Sequence, residues 1–485
     1  MRCRTEKDTL GARCVPADVY YGIQTLRAQE NFRISSIAPK REFINSTAMI
    51  KMAAAKVNST LGLLPRKKAR AIIRACREII RGEFHDQFIV DVYQAGAGTS
   101  HNMNSNEVIA NRAIELLGGK RGDYSVVHPN DHVNMGQSTN DTVPTAMRLA
   151  AIFASRGLLH ELRKLENAFM EKACSFDTVI KSARTHLQDA VPIRLGQEFS
   201  SYSESVGKCG ERLLNAAGGL KTLSIGGTAA GTGMNAHPRY RRMMIRSLAE
   251  ITGIRGLRPS PDMVEATSSM AGFTEFSGAL KVSAIELIRI SNDIRLLSSG
   301  PRTGLSEITL PAIQPGSSIM PGKVNPVMAE MLGMVCFQVI GNDTAVTMAA
   351  QAGQLELNVM TPVINYNILQ STGILTNAVK AFTGRCVRGI KADRKKCRAY
   401  FEKSVGIAAV LNPYIGYEKA ALVAKEALAK GLTIREVILQ RRILSKKKLD
   451  GILDPMKVTG KTGWLAGKAG GRQGRLIGRR GEKGK

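Results

Sequence analysis

The chain has 485 residues, 44% of them hydrophobic, enough for two or three domains and a large core, which excludes a disordered or fibrous protein. Its formal net charge of +29, from 69 basic and 40 acidic side chains, would suit a polyanionic partner, but an aromatic content of 5% is too sparse for a base-stacking platform. Nucleic-acid binding is therefore not expected as the main function, and the basic excess is spread along helical faces such as "LPRKKARAIIRACREIIRG", "KADRKKCR" and "QRRILSKKK", where solubility explains it.

No apolar run reaches the length of a membrane span, and the N-terminal "MRCRTEKDTLG" lacks the features of a secretory signal; a cytoplasmic protein without a membrane partner is expected. The cysteines (Cys3, Cys14, Cys76, Cys174, Cys209, Cys336, Cys386, Cys397) are scattered without a C-x-x-C pair. Free thiols are expected, neither a zinc ribbon nor a disulfide framework.

In chain order, the first segment to break the helical pattern is "GAGTSHNMNSNEV" (96–108), dense in Ser, Thr, Asn and His. His128 and His132 stand four apart like a helical metal pair, but Pro129 lies between them and "HPND" reads as a turn, so no metal site is expected. A second polar segment, "NMGQSTND" (134–141), precedes a long amphipathic helix over 141–174, with apolar Leu149, Ile152, Phe153, Leu158, Leu162, Leu165 and Phe169 at three- and four-residue steps. Asn140 or Asp141 suits its N-cap, and Pro144 suits a first turn. A third polar segment is "SARTHLQDA" (182–190). "IGGTAAGTGMN" (225–235) lacks the third glycine of a dinucleotide fingerprint and reads as a tight turn able to line a site.

Long helices are expected over 270–299, 326–352 and 362–390. Their apolar residues cover more than one face, as in bundles whose helices meet several neighbours, and this points to subunit association. Between the first two lies "QPGSSIMPGKVNP" (314–326), whose prolines and glycines forbid helix or central strand. It is a loop, and not a phosphate-binding one: five residues separate Gly316 from Gly322, and Val324 follows Lys323 where Ser or Thr is required. Thr433 and Glu436 form a capping box for one more short helix. From Thr459 the chain becomes glycine-rich and basic; 459–485 is expected to be a disordered tail, so Trp464 is not a core residue. No internal repeat appears.

Short uncharged donors with one lysine and one histidine suit a small polycarboxylate, which hydroxyls and amides orient while Lys323 and His186 supply charge. Taken singly, Asn140 is as well explained as a cap, Ser318 as a turn cap and His186 as a structural hydrogen-bonding histidine.

The sequence resembles the aspartase/fumarase superfamily over residues 4–459. "GSSIMPGKVNP" is similar to its signature loop, and "GTSHNMNSNEVIANR", "QSTNDTVPTA", "RTHLQDAVPIRLGQEF" and "GGTAAGTGMNAHP" to its other regions, in order. Within it, "VPADVYYGIQTLRAQENF", "LPAIQPGSS" and "NDTAVTMAAQAGQLELNVMTPVI" are similar to the ammonia-lyase branch rather than the class II fumarases, which share all the loops. The resemblance implies an all-α fold in three domains (1–140, 141–392, 393–458) and a homotetramer whose long helices form a central bundle, each active site drawing on three subunits. It implies deamination of L-aspartate to fumarate and ammonia, fumarate hydration being the alternative. The basic tail departs from the family's pattern and leaves a secondary polyanion contact open as a further alternative.

The family places the general base at Ser317, with Lys323 and His186 as the other catalytic groups. Thr99, Ser138 and Thr139 correspond to contacts of the β-carboxylate, Asn140 and His186 to those near the amino group, and Lys323 and Asn325 to those of the α-carboxylate; Thr185 and Ser318 are supporting donors. No cofactor is required by this chemistry, and activation by a divalent cation such as Mg2+ is left open by the sequence. A serine alkoxide is costly, so nearby backbone N–H groups and Lys323 are expected to stabilise it. The glycines of the loop also suit closure over bound substrate.

Overall fold

The computed structural model describes residues 2–460; Trp464 and the rest of the basic tail from 461 on lie outside the described residues. Helices dominate, and the only sheets among the described residues are two-stranded. The all-α class implied by the resemblance is therefore found. No described helix is long and apolar enough to cross a membrane.

The chain opens with an antiparallel hairpin, β1 (Cys3–Asp8) and β2 (Gly11–Pro16). Its pairing brings the Cα atoms of Cys3 and Cys14 to 5.7 Å, and the two are joined by a disulfide. The expectation of free thiols is thus corrected for this pair, because sequence spacing alone does not reveal a hairpin. Arg4 ties the hairpin to the following turn by donating to the carbonyls of Pro16, Val19 and Tyr21. Helix α1 (Ile23–Asn31) follows Gly22, where any Cβ would lie 2.4 Å from the Tyr124 hydroxyl.

Two compact units pack around separate cores. The first comprises the described residues of Met1–Glu161, Cys209–Ile285 and Met334–Ala378. Here α2 (Arg41–Thr60), α3 (Arg66–Arg81) and α4 (Thr99–Leu116) pack around Ile44, Ile72, Ile79, Phe88, Val108 and Ile114. Helix α3 shows why: its alanines, isoleucines and Cys76 face inward while Arg66, Arg70, Arg74 and Arg77 face solvent, and Gly82 at φ 106° closes it with a left-handed cap.

Helix α5 (Thr139–Ser175, 37 residues) passes from this unit into the second. It begins two residues earlier than the periodicity indicates, and Ser138, not Asn140 or Asp141, caps it: its Oγ accepts the Asn140 N–H at 3.2 Å. Pro144 falls in the second turn, where the N–H it lacks would have met the Asn140 carbonyl. Next come the hairpin β3 (Ile180–Thr185) and β4 (Gln188–Arg194), α6 (Leu195–Gly219), β5 (Thr222–Leu223), α7 (Tyr240–Thr252), β6 (Arg258–Pro259), α8 (Met263–Ser268) and α9 (Ala271–Leu297). After β7 (Ile308–Thr309) and the glycine–proline loop come α10 (Val327–Gln351) and α11 (Thr361–Arg385). The last long helix ends five residues before the expected boundary, in a 3-10 turn at Val387–Gly389 that leads into β8 (Lys391–Ala392).

The second unit comprises the described residues of Leu162–Lys208, Glu286–Gly333 and Val379–Lys485. Its C-terminal helices α12 (Arg394–Lys403), α13 (Ala408–Ile415), α14 (Tyr417–Lys430), α15 (Ile434–Gln440), α16 (Lys446–Ile452) and α17 (Pro455–Val458) surround Phe401, Leu411, Val423, Val437 and Leu449. The Thr433–Glu436 capping box of α15 is formed as expected. The folded body extends past the expected start of the tail: the carbonyls of Thr459 and Gly460 accept hydrogen bonds from Gln197 and Arg194.

Candidate active site

The polar segments fall into two groups, one in each unit. In the first, residues 96–99 reach α4 through three consecutive left-handed residues, Gly96 (φ 78°), Ala97 (φ 54°) and Gly98 (φ 89°). Packing favours Gly98 as well, since a Cβ there would lie 3.0 Å from a Val143 methyl on α5 and crowd it. The bend leaves Thr99 exposed at the helix start, its hydroxyl donating to the Gly96 carbonyl at 2.5 Å and lying 3.2 Å from the Thr139 hydroxyl. Thr139 also receives an amide N–H of Asn102 at 3.2 Å. Asn140 reaches across to the turn 225–235, donating to the Ala229 carbonyl at 2.7 Å.

Asp141 is the buried pin of this arrangement. Its carboxylate accepts the backbone N–H groups of Ser138 (3.0 Å), Gly226 (2.9 Å) and Thr228 (3.0 Å). Burial raises its pKa to about 6, those three donors opposing the rise. The structure thus gathers Thr99, Ser138, Thr139 and Asn140 beside the glycine-rich turn that the sequence marks as able to line a site.

The second group holds the signature loop and the 182–190 segment. Gly316 N–H donates to the Lys323 carbonyl at 2.9 Å, and the Asn325 amide donates to the Gly316 carbonyl at 2.6 Å, closing the loop at its base. A Cβ on Gly316 would sit 2.3 Å from the Lys323 oxygen, so only glycine fits. Within this loop the half-buried Ser317 Oγ accepts the backbone N–H groups of Ile319 (3.2 Å) and Met320 (2.9 Å). The turn is therefore capped by Ser317 and not by Ser318. Ile313, Ser317, Met320 and Lys323 are among the residues lining a pocket of about 430 Å3.

Segment 182–190 is the β3–β4 hairpin, with Thr185 paired to Gln188 and His186 (φ 56°) and Leu187 (φ 60°) forming its two-residue tip. Two non-glycine residues in left-handed geometry are costly, and such strain concentrates at functional sites. Thr185 and His186 are exposed, and His186 makes no hydrogen bond among the described residues. Beneath the hairpin, Glu307 is fully buried and pairs with Lys181 at 2.5 Å and with Arg184 at 2.8 Å. It stands immediately before β7, so the pairs join the strand that carries His186 to the chain leading into the signature loop.

Sequence reasoning missed three residues in these groups: Asn102, Glu307 and Lys51. Lys51 is fully buried on α2, donating to the Asn134 side chain at 2.8 Å, and Asn102 donates to the same Asn134 oxygen at 3.2 Å. Burial lowers its pKa to about 7, with Asp141 opposing. The signal was present in "STAMIKMAAAKV", a lysine on the inward phase of an alanine-rich helix.

Residues 11–341 match the protein family described as Lyase, and residues 407–460 the family described as Fumarase C C-terminus. Relatives named aspartate ammonia-lyase include that of Bacillus subtilis, 50% identical over 96% of this chain and 97% of its own, and that of Pseudomonas fluorescens, 51% identical over 93% and 95%. Among solved structures, a fumarate lyase:delta crystallin from Brucella melitensis bound to cobalt superimposes with a TM-score of 0.93 at 50% identity, covering 95% of this chain and 100% of its own. A class II fumarase from Schistosoma mansoni gives 0.90 at 39% identity, over 94% and 99%. The chain therefore belongs to the aspartase/fumarase superfamily of lyases, and within it to the aspartate ammonia-lyases.

Proposed function

We propose that the protein is a carbon–nitrogen lyase that interconverts L-aspartate with fumarate and ammonia. The observation that carries this reading is the match, at about half identity and along nearly the whole chain, to relatives that bear that name. Ser317 is the general base. Removal of a proton from Cβ leaves an aci-carboxylate dianion, and ammonia departs from the neighbouring carbon as the double bond forms. The two backbone N–H groups on Ser317 Oγ favour its anionic form, because they are fixed donors that need no reorganisation when the charge develops. Thr99, Ser138 and Thr139 receive the β-carboxylate, whose charge doubles in the intermediate. Asn140 and His186 lie near the amino group, and Lys323 and Asn325 hold the α-carboxylate. Thr185 and Ser318 support them, and loop closure excludes water.

The working enzyme is a homotetramer whose sites draw on several subunits. Helix α10 supports this, since apolar side chains surround it and it exposes Met334, Phe337 and Met348 along one stripe.

Hydration of fumarate is the second reading, favoured by the likeness to a class II fumarase. Absorbance of fumarate formed from L-aspartate, with L-malate in a parallel cuvette, decides between them. Fumarate from aspartate alone is expected; fumarate from malate alone overturns the assignment.

A further inference from the structure

Lys51 is a buried ammonium with three donors, and among the described residues it makes one hydrogen bond and no ion pair. An unpaired charge in such a place is expensive unless something else completes it. The titratable groups that act on it are Asp141 on α5, Cys76 on α3 and His101 on α4. Burial holds the Cys76 thiol well above its ordinary range and lowers His101 to about 3, so both are neutral. Only Asp141 offers a counter-charge, and its oxygens are already occupied by backbone N–H groups.

The geometry on the other side of Lys51 is directional. Asn134 takes the ammonium, Asn102 bonds Asn134, and the same Asn102 amide bonds Thr139. Thr139 Oγ therefore receives an N–H from Asn102 and lies 3.2 Å from Thr99 Oγ, whose own proton goes to the Gly96 carbonyl, so the relay from Lys51 ends at this pair of hydroxyls. We propose that Lys51 is a positioning residue that acts through Asn134 and Asn102 as the interior counter-charge of the β-carboxylate subsite, taking up a proton when a dicarboxylate binds at Thr99 and Thr139. The proposal rests on the assignment of those hydroxyls to the β-carboxylate. With Lys51 neutral and Asp141 ionised, the interior behind the hydroxyls is net negative and repels a carboxylate; with Lys51 protonated it is balanced, and the low dielectric makes the difference large. A pKa near 7 in the free protein places the exchange in an accessible range.

The test uses succinate, a dicarboxylate that neither reaction consumes, with the full-length protein. Titration calorimetry in two buffers of different ionisation enthalpy is expected to show proton uptake on binding at pH 7.5. Affinity is expected to fall about tenfold between pH 6.5 and 8. Lys51→Met is expected to abolish the uptake and flatten the pH dependence. Asn134→Val, which keeps the lysine but breaks its connection, is expected to reduce both. No uptake by the unaltered protein, uptake that persists in Lys51→Met, or failure of succinate to bind a preparation that turns over aspartate each overturns the proposal. Aspartate turnover by the same preparation is read separately: its absence removes the ammonia-lyase reading and leaves the proton-coupling result to stand on its own.

Discussion

Ser317, proposed as the general base, and Lys51, proposed as a positioning residue behind the β-carboxylate subsite, differ in how far the sequence disclosed them. Ser317 stands in a loop whose prolines and glycines forbid regular structure, so its surroundings are legible from residue types; its two N–H donors were foreseeable in kind, though not in position. Ser317→Ala is expected to lower kcat by at least about a thousandfold with the oligomer intact by gel filtration, as loss of a proton-abstracting group usually does. Lys51 is legible only from its place on the inward phase of the alanine-rich α2, because a lysine in a helix otherwise reads as solvent-facing. Its folded pKa of about 7 lies below the unfolded value near 10.4, so the unfolded chain binds more protons between them and stability rises with pH across that window. Lys51→Met is expected to remove that slope and to stabilise the fold by a few kcal/mol, on the order expected for deleting an uncompensated buried charge. Thermal melts at pH 6.5 and 9 check both, the gain being larger at the lower pH.

At the scale of elements, the long helices were the most legible part. Helices α5, α9 and α10 fall within two residues of the spans read from periodicity, since a 3.6-residue pattern repeated over many turns leaves little freedom. Both main hairpins escaped notice for a stated reason. The β3–β4 tip is His186–Leu187, without the glycine or asparagine that normally announces a two-residue turn, and β1–β2 is a short, largely polar pair. The ties between elements were equally hidden, because Asp141 reads as a helix cap and nothing in the sequence around Glu307 marks it as buried. Asp141→Ala is expected to free the turn 225–235 from the start of α5, lowering turnover while the helical circular dichroism is unchanged. Glu307→Gln leaves Arg184 without its carboxylate and Lys181 with Glu198 alone in the second unit. A loss of about 3–5 kcal/mol is expected, measured by urea unfolding.

At the scale of the whole molecule, the exposed face of α10 is where the proposed assembly is tested. Met334, Phe337 and Met348 are 66%, 63% and 57% exposed on a helix that is apolar on its other sides as well. Phe337→Asp is expected to split the assembly into smaller species by analytical ultracentrifugation and to lose activity with it; a variant that keeps the wild-type sedimentation coefficient shows that this face is not a subunit contact. Composition bounded the class of molecule but could not show this, because apolar content says nothing of which side chains find partners within one chain. The division into two interleaved units also carries a consequence for how the protein is made. The first unit needs residues up to Ala378, although its opening segment ends at Glu161. At roughly 5–20 residues per second, a ribosome takes about 10–40 s to supply what is missing. The core shared by α2, α3 and α4 can close at once, since it lies within residues 44–133, but the face of α2 that packs on α7 waits for a helix not yet synthesised, so the yield of soluble protein in a cell is expected to depend on translation speed as well as on the stability of the finished fold.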